Sequence, residues 1–442
     1  YVQLQEMGKM SDVYASKNYA CYNKSADLYC LFVERGYSLL KENGFMSMIM
    51  PNKWMLVDYG KNLRTFMSQM ALQKILNFGD IQFFDDATTY VCIFVVQKSA
   101  QKKMVTALSL DAESYKGDFE KEVSANLVEF APEKFGESEW SIRNPVYDAI
   151  LKKMNVGTAL KDSPIRIYAG IKAGCVEAFY IDETTRKELV DKDPKCAEII
   201  RPLLRGRDVL AWITPKNELY LIGTFPAQNL DIDQYPVVKA HLLSFGIERL
   251  EQTGATHEVN GVIIKARKKT CNKWFETQDQ VGYYAELAKP KIIFPNITTV
   301  FPFSYDEKGI SPNDNNFFIV EKNPAAISTS LSECKNESCN TQCEYPLLKA
   351  LLAIFNSKLV KLWIWYNCPV LNGGTRKLQI TYFENLCIPT QNVGIMQKLA
   401  TLANQIIAAK TADPKADTSA IEEQINALVY KAYGLRDRKS VV

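Results

Sequence analysis

Residues 44–53 read GFMSMIMPNK and decide the fold, because a short apolar run lies here between Gly44 and Pro51. Such a run predicts a strand that is buried on both faces, as in a parallel sheet. Two further strands are predicted at 74–77 and at the β-branched run 91–96. Helices are predicted at about 26–40 and 58–70. This pattern is half of an α/β domain, with too few strands for a complete doubly wound sheet.

The remainder of the chain changes character twice. Residues 98–162 are charged and weakly periodic, which predicts a connector with one helix near 145–154. From 164 to about 389, short strands at 165–169, 219–223, 291–295 and 316–320 alternate with loops, which predicts an α+β domain. The end is helical, with one stripe over 395–406, a capping box at Ser419 and Glu422, a second stripe over 421–429, and a C-cap at Gly434.

Composition excludes several classes of protein. The 442 residues are 47% hydrophobic and 23% charged, yet no stretch approaches the length of a membrane helix, so no membrane partner is expected. The opening residues lack a signal peptide, and 11 scattered cysteines indicate a reduced, cytoplasmic compartment. With only two histidines, His241 and His257, a triad hydrolase or a His-rich metal enzyme is poorly supported. A net charge of +3 does not by itself indicate nucleic-acid binding.

Four segments of the first hundred residues point to one family. They are 26–29 (ADLY), 44–53, 58–61 (DYGK) and 84–90 (FDDATTY). In this order they resemble the later catalytic motifs of the TaqI-like adenine-specific DNA methyltransferases, a group that includes fused restriction–modification enzymes. The resemblance implies that Tyr1 is the last residue of an Asn-Pro-Pro-Tyr motif and that the first half of the catalytic sheet lies upstream. It also implies that Thr89 or Tyr90 forms the wall of a pocket for a flipped base, and that Asp27 and Pro51 bind the cofactor, S-adenosylmethionine.

The chemistry of that family suits this composition. An adenine cannot react inside the duplex, so it must be extruded, and an aromatic face that stacks on it contributes about 1–3 kcal/mol. The missing Asn and Pro-Pro carbonyl would hold the exocyclic amine for attack on a methylsulfonium. No general base is required. Taken singly, Asp27 is equally well a helix cap, Asn52 a turn residue and Tyr1 a frayed terminus.

A second group of segments resembles the target-recognition domain of the same family. It comprises 170–174 (GIKAG), 202–208 (PLLRGRD), 352–359 and 372–376 (NGGTR). Lys and Arg neutralise phosphates, glycines let the backbone approach, and Arg reads guanine. The predicted partner is therefore double-stranded DNA. The candidate DNA-binding residues are Lys172, Arg205, Arg207, Lys268, Lys269 and Arg376.

Each of these predictions has an alternative. Arg205 and Arg207 suit an ion pair with Asp208 or Glu177 equally well. The basic segment that contains Lys265, Arg267, Lys268, Lys269 and Lys273 beside Trp274 is either a DNA-contacting patch or a solvated loop. Cys334, Cys339 and Cys343 form an incomplete zinc pattern, and free thiols are expected there, with no metal.

These inferences combine into one domain scheme and two functions. Residues 1–98 are expected to form the C-terminal half of a Rossmann-like methyltransferase sheet, 99–162 a linker, 163–390 an α+β DNA target-recognition domain and 391–442 a C-terminal helix pair. The first function is that of a monomeric, site-specific adenine methyltransferase, either alone or fused to a nuclease. Since the family's glycine-rich cofactor turn does not occur here, the chain alone is expected to be inactive. The second is a non-catalytic DNA-specificity module that acts with a separate enzyme.

Overall fold

The computed structural model describes residues 2–84, 89–100, 103–110, 115, 117–142, 145–216, 218–322, 346–369, 371 and 375–435. The chain divides into two compact units, one of residues 1–149 with 371–374 and the other of 150–370 with 375–442. Within the described ranges, no helix combines the length and the apolar character needed to cross a membrane.

The first unit is built on a five-stranded sheet. Its strands are β1 (Phe45–Pro51), β2 (Ala71–Asn77), β3 (Val91–Gln97), β4 (Val105–Ser109) and β5 (Val128–Phe130), in the order β1-β3-β2-β4-β5. β3 is antiparallel to both of its neighbours, whereas β2 and β4 are parallel. β1, β2 and β4 therefore run in one direction and end at the same edge of the sheet.

Two predictions for this unit are wrong. β1 is not buried on both faces, because it lies at the end of the strand order and pairs antiparallel with β3. Exposed and half-buried residues alternate along it from Phe45 to Ile49. Part of the predicted connector also belongs to the sheet, since β4 pairs with β2 and β5 pairs with β4. These strands have only five and three residues, too short to be recognised beside the charged residues around them.

Helices and two tryptophans form the core on this sheet. α1 (Lys9–Ser16), α2 (Tyr29–Ser38) and α3 (Lys61–Ser68) contribute to this core, whereas α4 (Phe119–Asn126) has no buried residue and α5 (Pro145–Lys153) crosses the boundary between the two units. Cys30 and Val33 of α2, Leu63 and Met67 of α3 and Phe94 of β3 share one buried cluster with Trp54 and Trp140. The rings of these tryptophans pack edge to face, with centroids 5.0 Å apart.

The second unit contains two larger sheets. Its strands are β6 (Thr158–Ala159), β7 (Ile165–Ala169), β8 (Tyr180–Asp182), β9 (Ile200–Leu204), β10 (Trp212–Ile213), β11 (Leu219–Ile222), β12 (Thr256–Val259), β13 (Val262–Lys265), β14 (Lys291–Pro295), β15 (Ile297–Thr298), β16 (Ser304–Asp306), β17 (Ser311–Pro312), β18 (Asn316–Glu321), β19 (Arg376–Lys377) and β20 (Cys387–Ile388). One sheet has the order β10-β16-β14-β18-β7, and the other has the order β17-β9-β11-β8. The four strands predicted between 165 and 320 are thus confirmed within one residue.

The helices of this unit are α6 (Val176–Phe179), α7 (Glu183–Lys192), α8 (Pro236–Leu243), α9 (Ile247–Leu250), α10 (Pro346–Asn356), α11 (Lys358–Asn367), α12 (Ile380–Phe383), α13 (Val393–Ala412) and α14 (Ser419–Ala432). The two C-terminal helices are confirmed, but they do not stand apart as a pair, because α13 packs on α10 as well as on α14. The cap of α14 is Thr418 and not Ser419, and its hydroxyl donates to Glu422 at 2.7 Å. Gly434 follows the helix with φ +67°, as predicted.

Candidate nucleic-acid interface

Polar side chains join the strand ends at the carboxyl edge of the first unit's sheet. Asn52 follows β1, Asn77 ends β2 and Ser109 ends β4. Asn52 Nδ2 donates to Asn77 Oδ1 and to the carbonyl oxygen of Gly79, both at 2.8 Å. Asn77 Nδ2 donates to Ser109 Oγ at 3.3 Å. Ligands of open α/β sheets bind at this kind of edge, outside the carboxyl ends of the strands.

Backbone contacts at the end of β1 fix the residues that lead into β3. The backbone N–H of Asn52 donates to the carbonyl oxygen of Tyr90 at 3.0 Å. Pro51 is opposite Val91 in the β1–β3 register. The predicted residues Pro51, Thr89 and Tyr90 are thus neighbours at one edge, with Thr89 and Tyr90 half-buried and Pro51 buried.

Aromatic side chains extend this edge beyond the end of β2. Phe78 is buried, and its ring packs edge to face on Phe83 with centroids 5.2 Å apart. Phe83 also contacts Phe119 and Tyr115. Phe83 and Phe84 keep 37% and 45% of their surface exposed. This edge therefore offers flat apolar faces to a ligand, although residues 85–88 of the predicted pocket lie outside the described residues.

A buried arginine anchors the loop that follows β1. Arg64 is 4% exposed, and its Nη1 donates to the carbonyl oxygens of Trp54 and Val57 at 2.6 and 2.8 Å. Burial lowers the pKa of its guanidinium. Gly60 completes the anchor, because a Cβ at this position would lie 1.9 Å from the Trp54 carbonyl oxygen. The segment DYGK that the sequence singled out is therefore explained by packing.

Asp27 lies where the N-terminal segment meets α2. It forms an isolated bridge with Gln3, and its Oδ1 accepts from the backbone N–H of Tyr29 at 3.5 Å. The hydroxyls of Tyr29 and Tyr59 are 3.3 Å apart. Burial raises the pKa of both phenols, and the Asp27 charge adds to this shift. A carboxylate at a helix start is also favoured by the helix dipole, so Asp27 has a structural role irrespective of any ligand. Tyr1 lies outside the described residues.

In the second unit, the loop at 313–316 connects the two predicted recognition segments. Gly170 N–H donates to the Asn316 carbonyl oxygen at 2.9 Å, and Asn313 N–H donates to the Leu204 carbonyl oxygen at 3.0 Å. A Cβ on Gly170 would lie 1.9 Å from the Asn313 carbonyl oxygen, and one on Gly206 would lie 2.8 Å from that of Asn315. The glycines, which lack a Cβ, therefore permit the close backbone contact between the segments GIKAG, PLLRGRD and NDNN.

The arginines of the second segment divide between the two alternatives left open by the sequence. Arg205 Nε is 2.6 Å from Asp208 Oδ2, so the predicted local ion pair is present. The side chain of Arg205 nevertheless keeps 38% of its surface exposed. The side chain of Arg207 is 74% exposed, and its Nε is as far as 4.0 Å from Asp208 Oδ1, the other oxygen of the carboxylate. Arg207 is therefore the more available cation of the two.

Lys172 and Lys268 come from different segments and meet near one carboxylate. The Lys172 carbonyl oxygen accepts from the backbone N–H groups of Gln278 and Asp279. Burial raises the pKa of Asp279, while the charges of Lys172 and Lys268 oppose that shift. Lys172, Lys268 and Lys269 are exposed. The structure thus brings the glycine-rich loop and the basic segment together, with their exposed lysines beside the carboxylates of Asp279 and Asp314.

One member of the basic segment is not on the surface. Arg267 is 5% exposed and lies 5.1 Å over the ring of Phe179. Its guanidinium donates to the carbonyl oxygens of Leu250, Ala173, Glu276 and Trp274 at 2.6–2.9 Å. Burial lowers its pKa to about 10. The inclusion of Arg267 in the surface patch is therefore wrong; it is an internal anchor that joins the basic segment to the glycine-rich loop.

Arg376 is held differently from the exposed loop cation that the sequence suggests. It lies in β19, its side chain is 5% exposed, and its guanidinium stacks 3.8 Å from the centroid of the Trp365 ring. Its Nε donates to the Trp365 carbonyl oxygen at 2.9 Å. Residues 372–374, which precede β19, lie outside the described residues.

The loop at 313–316 and Asn77 were not recognised from the sequence as parts of a site. A run of Asn and Asp between two strands signals a turn, and only the contacts reveal what the turn connects. Within the described ranges, no group of three or more His, Cys, Asp or Glu residues is arranged to hold a metal ion. Cys334, Cys339 and Cys343 lie outside those ranges.

Comparisons with known proteins agree with the resemblance found in the sequence. Residues 1–84 match the family model described as Eco57I restriction-modification methylase. The chain is 23% identical over 401 residues to the type II methyltransferase M.BstVI of Geobacillus stearothermophilus, which covers 84% of this chain and 63% of that protein. It is 37% identical over 103 residues to the type II restriction enzyme and methyltransferase RM.Eco57I of Escherichia coli, covering 22% of this chain and 10% of that protein.

A solved structure has a similar fold. It is that of the type IIL restriction-modification enzyme MmeI in complex with DNA, with a TM-score of 0.53 and 10% identity over 94% of this chain and 50% of that chain. The chain spans less than two thirds of the length of M.BstVI. The mixed α/β fold with several sheets is thus shared with a restriction-modification enzyme, and the predicted resemblance to methyltransferases of such systems is confirmed.

Proposed function

From this similarity to type II methyltransferases, we propose that the chain is part of a site-specific DNA methyltransferase of a restriction–modification or phage-defence system. The enzyme transfers a methyl group from S-adenosylmethionine to the amino group of a flipped adenine. The observation that carries the proposal is the carboxyl edge of the first sheet, where an amide bridge joins Asn52 and Asn77 inside the segment that matches the methylase family and the Asn52 N–H holds Tyr90, which follows that segment.

The base pocket follows from that edge. The backbone N–H of Asn52 holds the Tyr90 carbonyl oxygen against the end of β1, so Thr89 and Tyr90 leave the sheet in a fixed direction. The half-buried Tyr90 and the exposed faces of Phe83 and Phe84 provide the aromatic surface that an unstacked base needs. In this proposal Thr89 and Tyr90 line the pocket, and Tyr1 completes it from the end of the preceding motif.

Two residues are proposed to hold S-adenosylmethionine, which supplies an electrophilic methyl group on its sulfonium. Asp27 Oδ1 accepts one long contact of 3.5 Å, so its carboxylate keeps capacity for a further donor. Pro51 is buried beside Cys92, whose Sγ is 3.7 Å from its carbonyl oxygen, and it therefore contributes a rigid wall. Both residues fit the group, Asp27 as an acceptor and Pro51 by shape.

Double-stranded DNA is the proposed partner of the second unit. Lys172, Arg207, Lys268 and Lys269 are exposed, and each is carried by a loop that buried contacts hold in place. Arg205, paired with Asp208, and Arg376, stacked on Trp365, are assigned to positioning these loops. We propose the sequence-based scheme with two changes: the half methyltransferase sheet extends beyond residue 98 to include β4 and β5, which shortens the linker, and the helices of 391–442 pack on the target-recognition domain (163–390) through α10; the protein acts as a monomer.

The test is methyl transfer by the full-length protein. Transfer of tritium from labelled S-adenosylmethionine to a mixed-sequence plasmid, with N6-methyladenine found after digestion, is expected. Tyr90→Ala should reduce the rate by about 5- to 150-fold, because base stacking contributes about 1–3 kcal/mol. Tyr382→Ala, at an exposed tyrosine of the second unit, is the matched control. Absence of methylated adenine in any plasmid sequence would refute the proposal.

The second candidate is a non-catalytic DNA-specificity module. It is favoured by the concentration of exposed cations on loops of the second unit. A module of this kind needs no base pocket, so it does not account for the amide bridge or for the match of residues 1–84. The reading frame upstream distinguishes the two, since the methyltransferase requires Asn-Pro-Pro directly before Tyr1 and a glycine-rich turn further upstream.

A further inference from the structure

A β-hairpin projects from the second unit and ends in exposed aliphatic side chains. β12 and β13 pair only with each other within the described sheets, from Thr256↔Lys265 to Val259↔Val262. Asn260 and Gly261 form the turn with φ of +52° and +77°, the left-handed values that a two-residue hairpin turn requires. Next to the turn, Val262 is 60% exposed and Ile263 is 77% exposed. Two neighbouring aliphatic residues this exposed, on a hairpin that pairs with no other strand of the described sheets, form a candidate contact surface.

The hairpin is rigid at its base. Its ladder continues through the N–H of Ala266 to the carbonyl oxygen of Ala255 and through that of Gly254 to Arg267, both at 2.9 Å. The buried guanidinium of Arg267 then ties it to the Ala173 carbonyl oxygen in the glycine-rich loop. The direction of the hairpin is therefore set by the same contacts that set the loop of Lys172.

The charges around the hairpin indicate what it meets. Lys265, Lys268 and Lys269 are exposed at its base, where phosphates would be neutralised. Glu258 lies opposite Ile263 in the register and is exposed near the tip. A carboxylate is repelled by phosphates, but it accepts a hydrogen bond from the cytosine amino group in the major groove, where thymine methyls also contact apolar side chains.

We propose that the β12–β13 hairpin enters the major groove of the DNA as a two-stranded ribbon. Ile263, on the same face as Glu258, contacts base edges and Val262 lies on the other face of the ribbon, while Lys265, Lys268 and Lys269 bind the flanking phosphates. The major groove has the width to admit such a ribbon. The inference rests on the proposed DNA-binding function and adds to it the element that reads sequence.

The experiment compares two variants of the full 442-residue chain. Val262→Thr with Ile263→Thr keeps β-branched side chains and removes apolar contact at an exposed site, so the hairpin is retained. Leu243→Gln, at a 41% exposed position of α8, is the matched control. The probe is the duplex that the wild-type chain enriches from a pool with a randomised centre. Affinity, its salt dependence and protection of guanine N7 from dimethyl sulfate are measured on that duplex.

The tip variant is expected to lose about tenfold in affinity and the N7 protection, with an unchanged salt slope because no phosphate contact is removed. The control should bind as wild type. Wild-type affinity and wild-type N7 protection in the tip variant would overturn the inference while leaving the DNA-binding function intact. A wild-type chain that enriches no duplex would overturn both.

Discussion

Two arginines, Arg64 and Arg267, bring positive charge into the interior, and both donate to backbone carbonyl oxygens of loops. A guanidinium has five donors in a fixed plane, so one side chain can satisfy several loop carbonyls that regular structure leaves unpaired. Arg64 fixes the loop after β1, and Arg267 fixes the hairpin base and the glycine-rich loop. Each candidate site thus depends on one internal residue that makes no ligand contact in the proposal.

Replacement of the internal arginine of the second unit should be costly. Arg267→Met leaves the carbonyl oxygens of Leu250, Ala173, Glu276 and Trp274 without this donor, so the free energy of unfolding is expected to fall by about 2–4 kcal/mol. Lys268→Met, on the exposed neighbouring residue, is the control and should change it by less than about 0.5 kcal/mol. Urea unfolding measures the free energy of unfolding of both variants. Equal values would contradict the stabilising role of Arg267.

The amide bridge between Asn52 and Asn77 is expected to stabilise the first unit and its candidate pocket. Asn52→Ala removes the donors to Asn77 Oδ1 and to the Gly79 carbonyl oxygen, which should lower the unfolding free energy by about 1–2 kcal/mol. In the full-length protein it should also slow methyl transfer, because the ends of β1 and β2 at the edge of the pocket lose this link, although the backbone N–H that donates to the Tyr90 carbonyl oxygen remains. Asn126→Ala, at an exposed residue of α4, is the control. Methyl transfer by Asn52→Ala at the wild-type rate would show that the base pocket does not depend on the amide bridge.

At the scale of elements, close backbone contact between loops defines the proposed DNA surface. The segments at 170–174, 202–208 and 313–316 meet through main-chain hydrogen bonds. At Gly170 and Gly206 a Cβ would collide with backbone oxygen atoms, which cannot move as a flexible side chain can. The glycines that resembled a recognition signature are therefore required first for assembly of this junction.

Alanine at Gly170 should disrupt the junction. The added Cβ would lie 1.9 Å from the Asn313 carbonyl oxygen, so a loss of more than about 2 kcal/mol in unfolding free energy is expected, together with weaker DNA binding. Gly282→Ala is the control, since a Cβ there has no atom within 4 Å. Thermal unfolding of the two variants tests this. Equal melting temperatures of the two variants would show that the junction accommodates the added Cβ without loss of stability.

The same elements illustrate how far the sequence can be interpreted. β3, β7, β14 and the two terminal helices could be predicted because their apolar residues repeat at the period of one regular structure. β4 and β5 could not, because strands this short gain their identity from the partner strand. Arg267 and Lys268 are adjacent and both cationic, yet Arg267 is buried and Lys268 is exposed. This difference depends on tertiary contacts that no local sequence pattern encodes.

At the scale of the whole molecule, a modest net charge of +3 conceals a local concentration of exposed cations. We expect DNA binding to depend on salt through these residues and not through the overall charge. Combined substitution of Lys172, Arg207 and Lys268 by Gln should lower the slope of log affinity against log salt by about 3, at about 0.9 per phosphate contact. The controls are Lys187, Lys239 and Lys289 changed to Gln, which are engaged in local ion pairs. An equal loss of slope in the controls would refute a localised surface.

We expect DNA binding to be separable from methyl transfer in this protein. The second unit carries the proposed DNA surface, whereas the glycine-rich turn with which the family grips S-adenosylmethionine does not occur in the 442 residues. The chain alone should therefore shift a DNA duplex in a gel but transfer no tritium from labelled S-adenosylmethionine, while the full-length protein does both. Isothermal titration should likewise detect cofactor binding by the full-length protein and not by the chain. Transfer by the chain alone would mean that these residues form a cofactor site that the family resemblance does not contain.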